Sequence, residues 1–138
     1  MDAPEAYLFF DGNCAEAMRF YERALGGTLT LSKVAGSPME KMMPPGSGDR
    51  IIHARLDFGG RALMASDWMA AEPFAAPGGF SLALTCATVA DARKLFDAIA
   101  EGGTVTMPLQ KTFWSELFGM ATDRYGTRWM VNGPMLPH

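Results

Sequence analysis

The sequence predicts an α+β fold built from a tandem duplication, and two observations support this. Segments 6–31 and 80–107 each contain an extended run, a helix with an apolar stripe, a Gly-Gly pair and a second extended run. Segments 56–67 and 122–133 each add two extended runs around a glycine turn. One copy of such a module cannot bury its apolar face alone, so we expect the two copies to pack together.

Length and composition suit one domain over residues 1–138, with a first module at 5–67, a linker at 68–79 and a second module at 80–133. An apolar content of 49% with 20% charged residues is ordinary for a soluble globular protein. The sequence shows no apolar run long enough for a transmembrane helix and no signal-peptide pattern. Two cysteines are too few for a disulfide framework, so we expect a cytoplasmic protein without a membrane partner. A net charge of −3 with scattered basic residues predicts no nucleic-acid partner.

The first helix is predicted at 14–25. Asn13 with Glu16 three residues later has the pattern of a capping box, and Gly26 and Gly27 supply the stop. Its apolar stripe consists of Cys14, Ala17, Met18, Tyr21, Ala24 and Leu25.

The second helix repeats this design at 89–101. Thr88 is the expected N-cap, Asp91 stands at the third helical position, and Gly102 and Gly103 end the helix. Both helices are expected on the outer side of the sheet.

Alternation along 51–58 predicts two chemically different strand faces. Ile52, Ala54, Leu56 and Phe58 form the apolar face that should pack on a helix, and His53 and Arg55 point the other way.

The matching strand of the second module is predicted at 113–122. Aligning Gly59 with Gly126 pairs His53 with Met120 and Arg55 with Thr122. The same face then carries Trp114, Glu116, Phe118 and Met120. This half-polar, half-aromatic face is more typical of the wall of a cleft than of a core.

Two segments are irregular. Segment 35–49 is long for a loop in a compact domain and contains Met39, Met42 and Met43. These methionines either close over an apolar ligand or belong to a surface loop, and both interpretations stay open. In the linker, Trp68 and Phe74 are expected to be packing residues.

Six segments, which together run along nearly the whole chain, carry a family resemblance. They are YLFFDGNCAEAMRFY (7–21), HARL (53–56), LMASD (63–67), GGFSLAL (78–84), LQKTFW (109–114) and FGMATDRYGTRWMVN (118–132). With these segments the chain resembles the PhnB-like branch of the vicinal oxygen chelate superfamily, which includes glyoxalase, extradiol dioxygenase and fosfomycin-resistance proteins. It implies two βαβββ modules whose eight strands form a curled mixed sheet around a cavity, a glyoxalase-like cup with the helices outside. It also implies a homodimer.

Metal ligands in the metal-dependent relatives come from the first and last strands of each module, usually as two histidines and two carboxylates. The matching strands here lack an imidazole or a carboxylate at those positions. We therefore expect no tightly bound transition metal and no other cofactor at Leu8, Met64, Ser81 and Val131 or their neighbours. A divalent metal at a rearranged site with His53 and Glu116 stays open.

Proteins of this branch often carry the name demethylubiquinone methyltransferase. A methyltransferase of the usual kind needs a glycine-rich turn after its first strand and a larger parallel sheet for its adenosyl cofactor. No G-x-G-x-x-G run occurs in this chain, so the sequence does not support that activity.

His53 and Glu116 are the candidate catalytic residues. His53 suits a general base near neutral pH, or it is a structural histidine bonded to a carboxylate such as Asp57 or Glu116. Glu116 is either a partly dehydrated carboxylate between aromatic rings, suited to acid–base work, or a solvent-exposed side chain. The candidate ligand-binding residues are Arg55, Trp114, Phe118 and Met120. Arg55 either binds an anionic group or pairs with a carboxylate across the sheet.

Neither cysteine is assigned a catalytic role. Cys14 begins the first helix and its apolar stripe, so we expect it to be buried. Cys86 ends a strand without a basic residue nearby. Asp67 is expected to cap the turn into the linker.

Three functions are compatible with these observations. They are a metal-free protein that binds a small, partly aromatic ligand, an enzyme acting on a small carbonyl or phosphonate-type compound through His53 and Glu116, and a dimeric interaction module. The missing metal ligands favour the first function over the second. The apolar side chains Trp68, Met69, Phe74 and Phe80 predict a symmetric homodimer with the linker near its contact.

Overall fold

The computed structural model describes all of residues 1–138, which divide into two compact units, Met1–Ala75 and Ala76–His138. Each unit holds one α-helix and one four-stranded mixed sheet, which confirms the predicted α+β class. The eight strands form two separate hydrogen-bonded sheets of four strands each. The assignment of both units to a single domain stays a prediction. No helix in either unit is long and apolar enough to cross a membrane.

The first unit has the order strand, helix and three strands. Its elements are β1 (Tyr7–Phe10), α1 (Cys14–Leu25), β2 (Thr28–Lys33), β3 (Ile51–Asp57) and β4 (Ala62–Asp67). The sheet order is β1-β4-β3-β2, with β1 parallel to β4 and the other pairs antiparallel. The long loop before β3 contains only one turn of 3₁₀ helix, Glu40–Met42.

The second unit repeats this topology. Its elements are β5 (Leu82–Thr85), α2 (Val89–Ala100), β6 (Thr104–Gln110), β7 (Phe118–Thr122) and β8 (Arg128–Asn132). The sheet order is β5-β8-β7-β6, again with one parallel and two antiparallel pairs. Both predicted βαβββ modules are therefore confirmed.

Each helix covers one face of its own sheet, and we call the other face of each sheet its open face. In the first unit α1 packs on β2, β3 and β4, and in the second α2 packs on β6, β7 and β8. The helix-covered core of the second unit includes Phe96 from α2, Ala121 from β7 and Val131 from β8. Side chains alternate across a strand, so the neighbours of these core residues lie on the open face.

The N-terminus of α1 is capped from a distance. Asn13 occupies the N-cap position but its side chain makes no cap hydrogen bond, so the predicted capping box is wrong. Instead the Asp67 carboxylate accepts hydrogen bonds from the backbone N–H groups of Gly12 (2.9 Å) and Cys14 (3.0 Å) through Oδ1, and of Ile51 (2.8 Å) through Oδ2. Asp67 therefore caps the first helix. The prediction that it caps the turn into the linker is wrong.

The N-terminus of α2 has the local cap that the sequence predicts. The Thr88 hydroxyl accepts a hydrogen bond from the Asp91 N–H at 3.0 Å. The helix ends at Ala100, one residue before the predicted end, and Gly102 follows with a φ of 75°.

Strand β3 departs from perfect alternation near its start. The pairing with β2 shifts between Ser32 and Lys33, so that His53 pairs with Ser32 and Ile51 with Lys33. This β-bulge buries Ile51 and leaves Ile52 half-buried, the reverse of the prediction. Phe58 lies beyond the strand end and is 42% exposed, so it does not belong to the helix-covered face.

Strand β7 begins at Phe118, five residues later than predicted. The preceding segment nevertheless continues the antiparallel register of β7 and β8, because the N–H of Glu116 bonds to the carbonyl of Pro134 and the N–H of Leu136 bonds to the carbonyl of Trp114. A bridge between Ser115 and Met135 lies between these bonds. The segment 114–117 is thus held by the C-terminal residues without forming a regular strand.

The strand pairings also correct the alignment of the two units. Thr28 pairs with Asp57 at the start of β2, and Thr104 pairs with Thr122 at the start of β6. Counting back along β3 and β7 from these pairs matches Arg55 with Met120 and His53 with Phe118. The glycine-based alignment is wrong by two residues because Gly59 is the second residue after β3, whereas Gly126 is the fourth residue after β7.

Candidate functional site

The open face of the first sheet carries an aromatic and polar cluster. Strand alternation places Tyr7 and Phe9 of β1 on this face, because Leu8 and Phe10 between and after them are buried on the helix side. Tyr7 pairs with Met64 on β4, and Met64 pairs with Arg55 on β3. Neighbouring strands are about 4.8 Å apart, so Tyr7 and Arg55 flank Met64 with about 10 Å between their backbones.

His53 lies in this cluster and is exposed. Its Nδ1 is 3.2 Å from the Tyr7 hydroxyl, and the two rings are 5.8 Å apart. The hydroxyl donates when the imidazole proton is on Nε2 and accepts when Nδ1 carries it. The partner of His53 is therefore a phenol and not one of the carboxylates considered from the sequence, and Nε2 has no partner within the protein.

Arg55 pairs with a carboxylate on its own strand. Its Nε is 3.2 Å from Oδ2 of Asp57, and its Nη1 is 4.0 Å from the Met64 sulfur. The hydrogen bond from Arg55 lowers the pKa of Asp57, with further help from the guanidinium charge and from the backbone N–H groups of Gly59 and Gly60. The pair that the sequence placed across the sheet thus runs along β3.

The aromatic side chains extend from this cluster into the linker. The Phe9 ring lies 5.2 Å from Tyr7 and 5.4 Å from Trp68, and Trp68 lies 6.3 Å from Phe74. The Trp68 indole also donates to the carbonyl of Glu72 at 2.8 Å. Trp68 and Phe74 are therefore packing residues, as the sequence predicts.

The open face of the second sheet is mainly apolar. Phe118 is buried, and the Trp114 ring meets it edge-on at 5.1 Å. The Trp114 indole donates to Oδ1 of Asn132 at 3.3 Å, which fixes the ring over the end of β8. Met120 and Met130 pair with each other farther along the same face and are half-buried.

Glu116 is exposed, and its carboxylate has no hydrogen-bond or ion-pair partner. The interpretation of a dehydrated carboxylate between aromatic rings requires burial that this side chain does not have. The solvent-exposed alternative describes Glu116.

A groove of about 480 Å³ lies at the other end of the same open face. Its side-chain lining includes Phe80, Thr106, Met120, Thr122, Arg128 and Met130. Among the residues predicted from the sequence, only Met120 lines this groove. Arg128 was not predicted, although its position two residues before Met130 on β8 places both on one face.

The sequence profile of the glyoxalase/bleomycin resistance protein/dioxygenase superfamily matches residues 5–131. This chain belongs to that superfamily. It is 35% identical to Protein YjdN of Escherichia coli strain K12 over 136 residues, which cover 91% of each chain.

Two solved structures support the same assignment. Protein PA1353 from Pseudomonas aeruginosa is 46% identical and has a TM-score of 0.86, with 97% of this chain and 98% of that chain covered. The PhnB protein from Bacillus cereus, whose name proposes a 3-demethylubiquinone-9 3-methyltransferase, is 27% identical and has a TM-score of 0.76. The match covers 96% of this chain and 99% of that chain. The resemblance to the PhnB-like branch is confirmed.

The superfamily's metal-dependent members use side chains on the first and last strands of each module, and these strands are β1, β4, β5 and β8 here. Leu8 and Val131 are buried on the helix side, whereas Tyr7, Phe9, Met130 and Asn132 occupy the open faces. No group of three or more His, Cys, Asp or Glu side chains has the arrangement to hold a metal ion. The donor set of this member therefore does not fit the metal that the superfamily implies.

The two thiols are set apart from both open faces. Cys14 is buried, and burial together with the nearby Asp67 carboxylate raises its pKa to about 12. Burial also raises the pKa of Cys86, with a smaller contribution from Asp91. A thiol with a raised pKa is a poor nucleophile at neutral pH, in agreement with the absence of an assigned role.

The structure brings the predicted site residues together in two groups. His53 and Arg55 share the open face of the first unit, and Trp114, Phe118 and Met120 lie along that of the second, with Glu116 on the irregular segment before β7. That all six face one cavity stays a prediction. Tyr7 and Phe9 were missed because Tyr7-Leu8-Phe9-Phe10 is a continuous apolar run, which does not reveal from sequence which residues face the helix.

Proposed function

We propose that this protein binds a small, partly apolar molecule without a transition metal. The observation that carries this proposal is the groove of about 480 Å³ on the open face of the second sheet. Small-ligand sites have volumes of about 300–1,000 Å³ and combine apolar walls with a few polar groups.

The lining of the groove suits an adaptable apolar site. Met120 and Met130 supply flexible, polarizable side chains that fit irregular ligand shapes. Phe80 adds an aromatic surface, and Arg128 and Thr122 add hydrogen-bond donors. This combination favours a ligand with an apolar body and a polar end.

The first unit offers a second set of recognition groups. Its Tyr7, His53 and Arg55 side chains combine aromatic surface, an imidazole and a guanidinium on one open face. These groups support ligand binding even without catalysis.

The alternative is an enzyme that uses His53 as acid or base, and the Tyr7–His53 hydrogen bond is the observation that favours it. A hydroxyl on Nδ1 orients the ring and leaves Nε2 for a substrate. Glu116 is the proposed second group. Under this alternative His53→Gln and Glu116→Gln both abolish turnover of a small carbonyl or phosphonate-type compound, whereas under the binding proposal the wild-type chain turns none over.

A methyltransferase is not proposed. The PhnB protein from Bacillus cereus carries a name that proposes this activity, but a usual adenosyl-dependent enzyme needs a doubly wound parallel sheet with a glycine-rich first turn. Each sheet of this chain has one parallel pair among three.

We also propose a cytoplasmic homodimer. Phe80 and Phe113 are 51% and 74% exposed, and large exposed apolar side chains favour association. Both cysteines are free thiols, as expected in a reducing compartment. Sedimentation should give a species of twice the 14.9 kDa chain mass, and a single species at the chain mass would contradict the dimer and favour a monomer.

The binding proposal is tested by a thermal-shift screen of small aromatic and aliphatic metabolites, followed by calorimetry of the hits. Met120→Ala should weaken binding of a hit by about tenfold, because it removes apolar contact in the groove. Met135→Ala is the matched control, since Met135 is 50% exposed and does not line the groove. Equal affinities for both variants, or no hit for the wild-type chain, would contradict the proposal.

The metal-free part has its own test. Elemental analysis of protein purified without added metal should find no stoichiometric zinc, nickel, iron or manganese. Stoichiometric metal that survives dialysis would contradict it, and its loss in His53→Ala would place it at the rearranged site.

A further inference from the structure

The unpaired N–H groups at the end of the Arg55 guanidinium favour a particular class of ligand. Asp57 holds the side of the group through Nε at 3.2 Å, while the two terminal nitrogens face only the Met64 sulfur, at 4.0 Å from Nη1. A thioether is a weak acceptor, so these N–H groups keep most of their capacity to donate. The side chain is 40% exposed and can be reached by a ligand.

A guanidinium can bind two carboxylates at once, one along its side and one at its end. The end presents two parallel N–H donors whose spacing matches the two oxygens of a carboxylate. Asp57 fixes the orientation of the group and leaves that end free. No second carboxylate of the protein contacts Arg55.

The surroundings of Arg55 select the rest of the ligand. Met64 lies directly beside Arg55 and forms an apolar floor, and Tyr7 lies on the far side of that floor. The Tyr7 side chain reaches across β4 to within 3.2 Å of His53, so its ring forms one wall of the space above Met64. The Tyr7 and Phe9 rings, 5.2 Å apart and tilted by 40°, supply aromatic surface beside it.

His53 completes the surface on the same strand as Arg55. Its Nδ1 is engaged by the Tyr7 hydroxyl at 3.2 Å, so Nε2 is the nitrogen available to a ligand. A neutral imidazole with its proton on Nε2 donates to an anion, and a protonated one donates more strongly. With the proton on Nδ1, Nε2 accepts a hydrogen bond instead, so it is the two states with an Nε2 proton that favour a negatively charged group.

We infer that the open face of the first unit binds a small planar aromatic carboxylate, with its carboxylate on the end of Arg55 and its ring over Met64, against the hydrogen-bonded Tyr7–His53 pair. This inference rests on the proposed function, and it specifies the ligand class for the recognition groups of the first unit and not for the groove of the second. A single arginine with one free end favours one negative charge, and the apolar floor disfavours a strongly hydrated dianion such as inorganic phosphate.

The test compares benzoate with its neutral analogue benzyl alcohol, using chemical shifts of the isotope-labelled protein. We expect benzoate to shift amides of β1, β3 and β4 and to bind at least about tenfold more tightly than benzyl alcohol. Arg55→Gln should weaken benzoate about 10- to 100-fold and leave benzyl alcohol unchanged, because only the charged ligand uses the guanidinium. Arg19→Gln is the matched control, since Arg19 is exposed on α1 at the opposite side of the same sheet.

A gain of affinity provides an independent measure. Asp57→Asn removes the negative charge beside Arg55, so it should strengthen benzoate binding several-fold at low ionic strength. Arg55→Lys keeps the charge but loses the paired donors. Its affinity for benzoate should lie between that of wild type and that of Arg55→Gln. These two variants keep the inference testable if Arg55→Gln is unfolded.

Four outcomes would overturn the inference. Equal binding of benzoate and benzyl alcohol, or benzoate binding that ignores Arg55, would reject the anionic class and leave the proposed function standing. Shifts confined to the second unit would reject this location but support the groove. No binding of either probe would also reject the class, and the proposed function would then be decided by its metabolite screen and the Met120→Ala variant.

Discussion

Matching positions of the two sheets carry opposite chemistry on their open faces. The first unit has His53 and Arg55 where the second has Phe118 and Met120. His53 is exposed and Arg55 is half-buried, whereas Phe118 is buried. On β1 and β5 the corresponding contrast is Tyr7 against Ala83. The strand ladders and the helix-covered faces are alike, so the topology depends on the covered face and leaves the open face free to diverge. The open faces are therefore where function is to be sought.

The largest effect expected from this contrast is on stability at one matched pair. Phe118→Ala should destabilise the protein by about 3–5 kcal/mol, because it removes a buried ring that packs against Trp114. His53→Ala should cost about 1 kcal/mol or less, since His53 is exposed. Urea unfolding measures both values. Similar losses would show that His53 is a structural residue and would abolish the contrast.

The next effect concerns the cap of α1. Asp67→Ala leaves the N–H groups of Gly12, Cys14 and Ile51 without their acceptor in a buried position and should cost about 3 kcal/mol. Asp11→Ala, which removes an exposed ion pair with Arg50, is the control and should cost less than about 1 kcal/mol. The midpoint of thermal unfolding distinguishes them, and equal midpoints would contradict the assigned cap.

A smaller effect separates the local caps of the two helices. Thr88→Ala should lower the free energy of unfolding by about 1 kcal/mol, because the hydroxyl satisfies the Asp91 N–H. Asn13→Ala should cost only a few tenths of a kcal/mol, since that side chain makes no cap bond. A larger loss for Asn13→Ala than for Thr88→Ala in chemical unfolding would support the capping box predicted from the sequence.

The smallest effect is on thiol chemistry. With its pKa near 12, Cys14 should resist a thiol reagent in the folded protein at neutral pH, and Cys86, which is half-buried, should react first. The folded state holds the Cys14 proton more tightly than the unfolded state, so this contribution to stability is complete below about pH 9 and is lost as pH rises towards 12. Mass spectrometry after timed labelling of wild type and Cys14→Ser resolves the two rates. Labelling of Cys14 before Cys86 would contradict the burial of its thiol.

The features that were predictable from the sequence are those with local causes. Both helices, the Thr88 cap and the order of strands follow from patterns within a few residues. The failures have distant causes. Asp67 lies 53 residues from Cys14 and displaces Asn13 from its expected role, and the bulge that buries Ile51 is set by pairing with β2.

The site was predictable only in part for the same reason. His53 and Arg55 were found by alternation along one strand, but their partners come from elsewhere. Tyr7 reaches His53 from 46 residues away, and the C-terminal residues hold the segment that carries Trp114 and Glu116. The alignment of the two units failed because it relied on glycines that stand at different positions in their connections.

The cap supplied by Asp67 has a consequence for how the chain acquires its structure. During synthesis the second helix can close its own first turn as soon as Thr88 and Asp91 emerge, but the first helix has to wait for Asp67. Joining ends that far apart costs chain entropy before any contact offsets it. The first helix should therefore become stable only when β4 docks, whereas the second helix has its first-turn cap before any strand of its own sheet has paired.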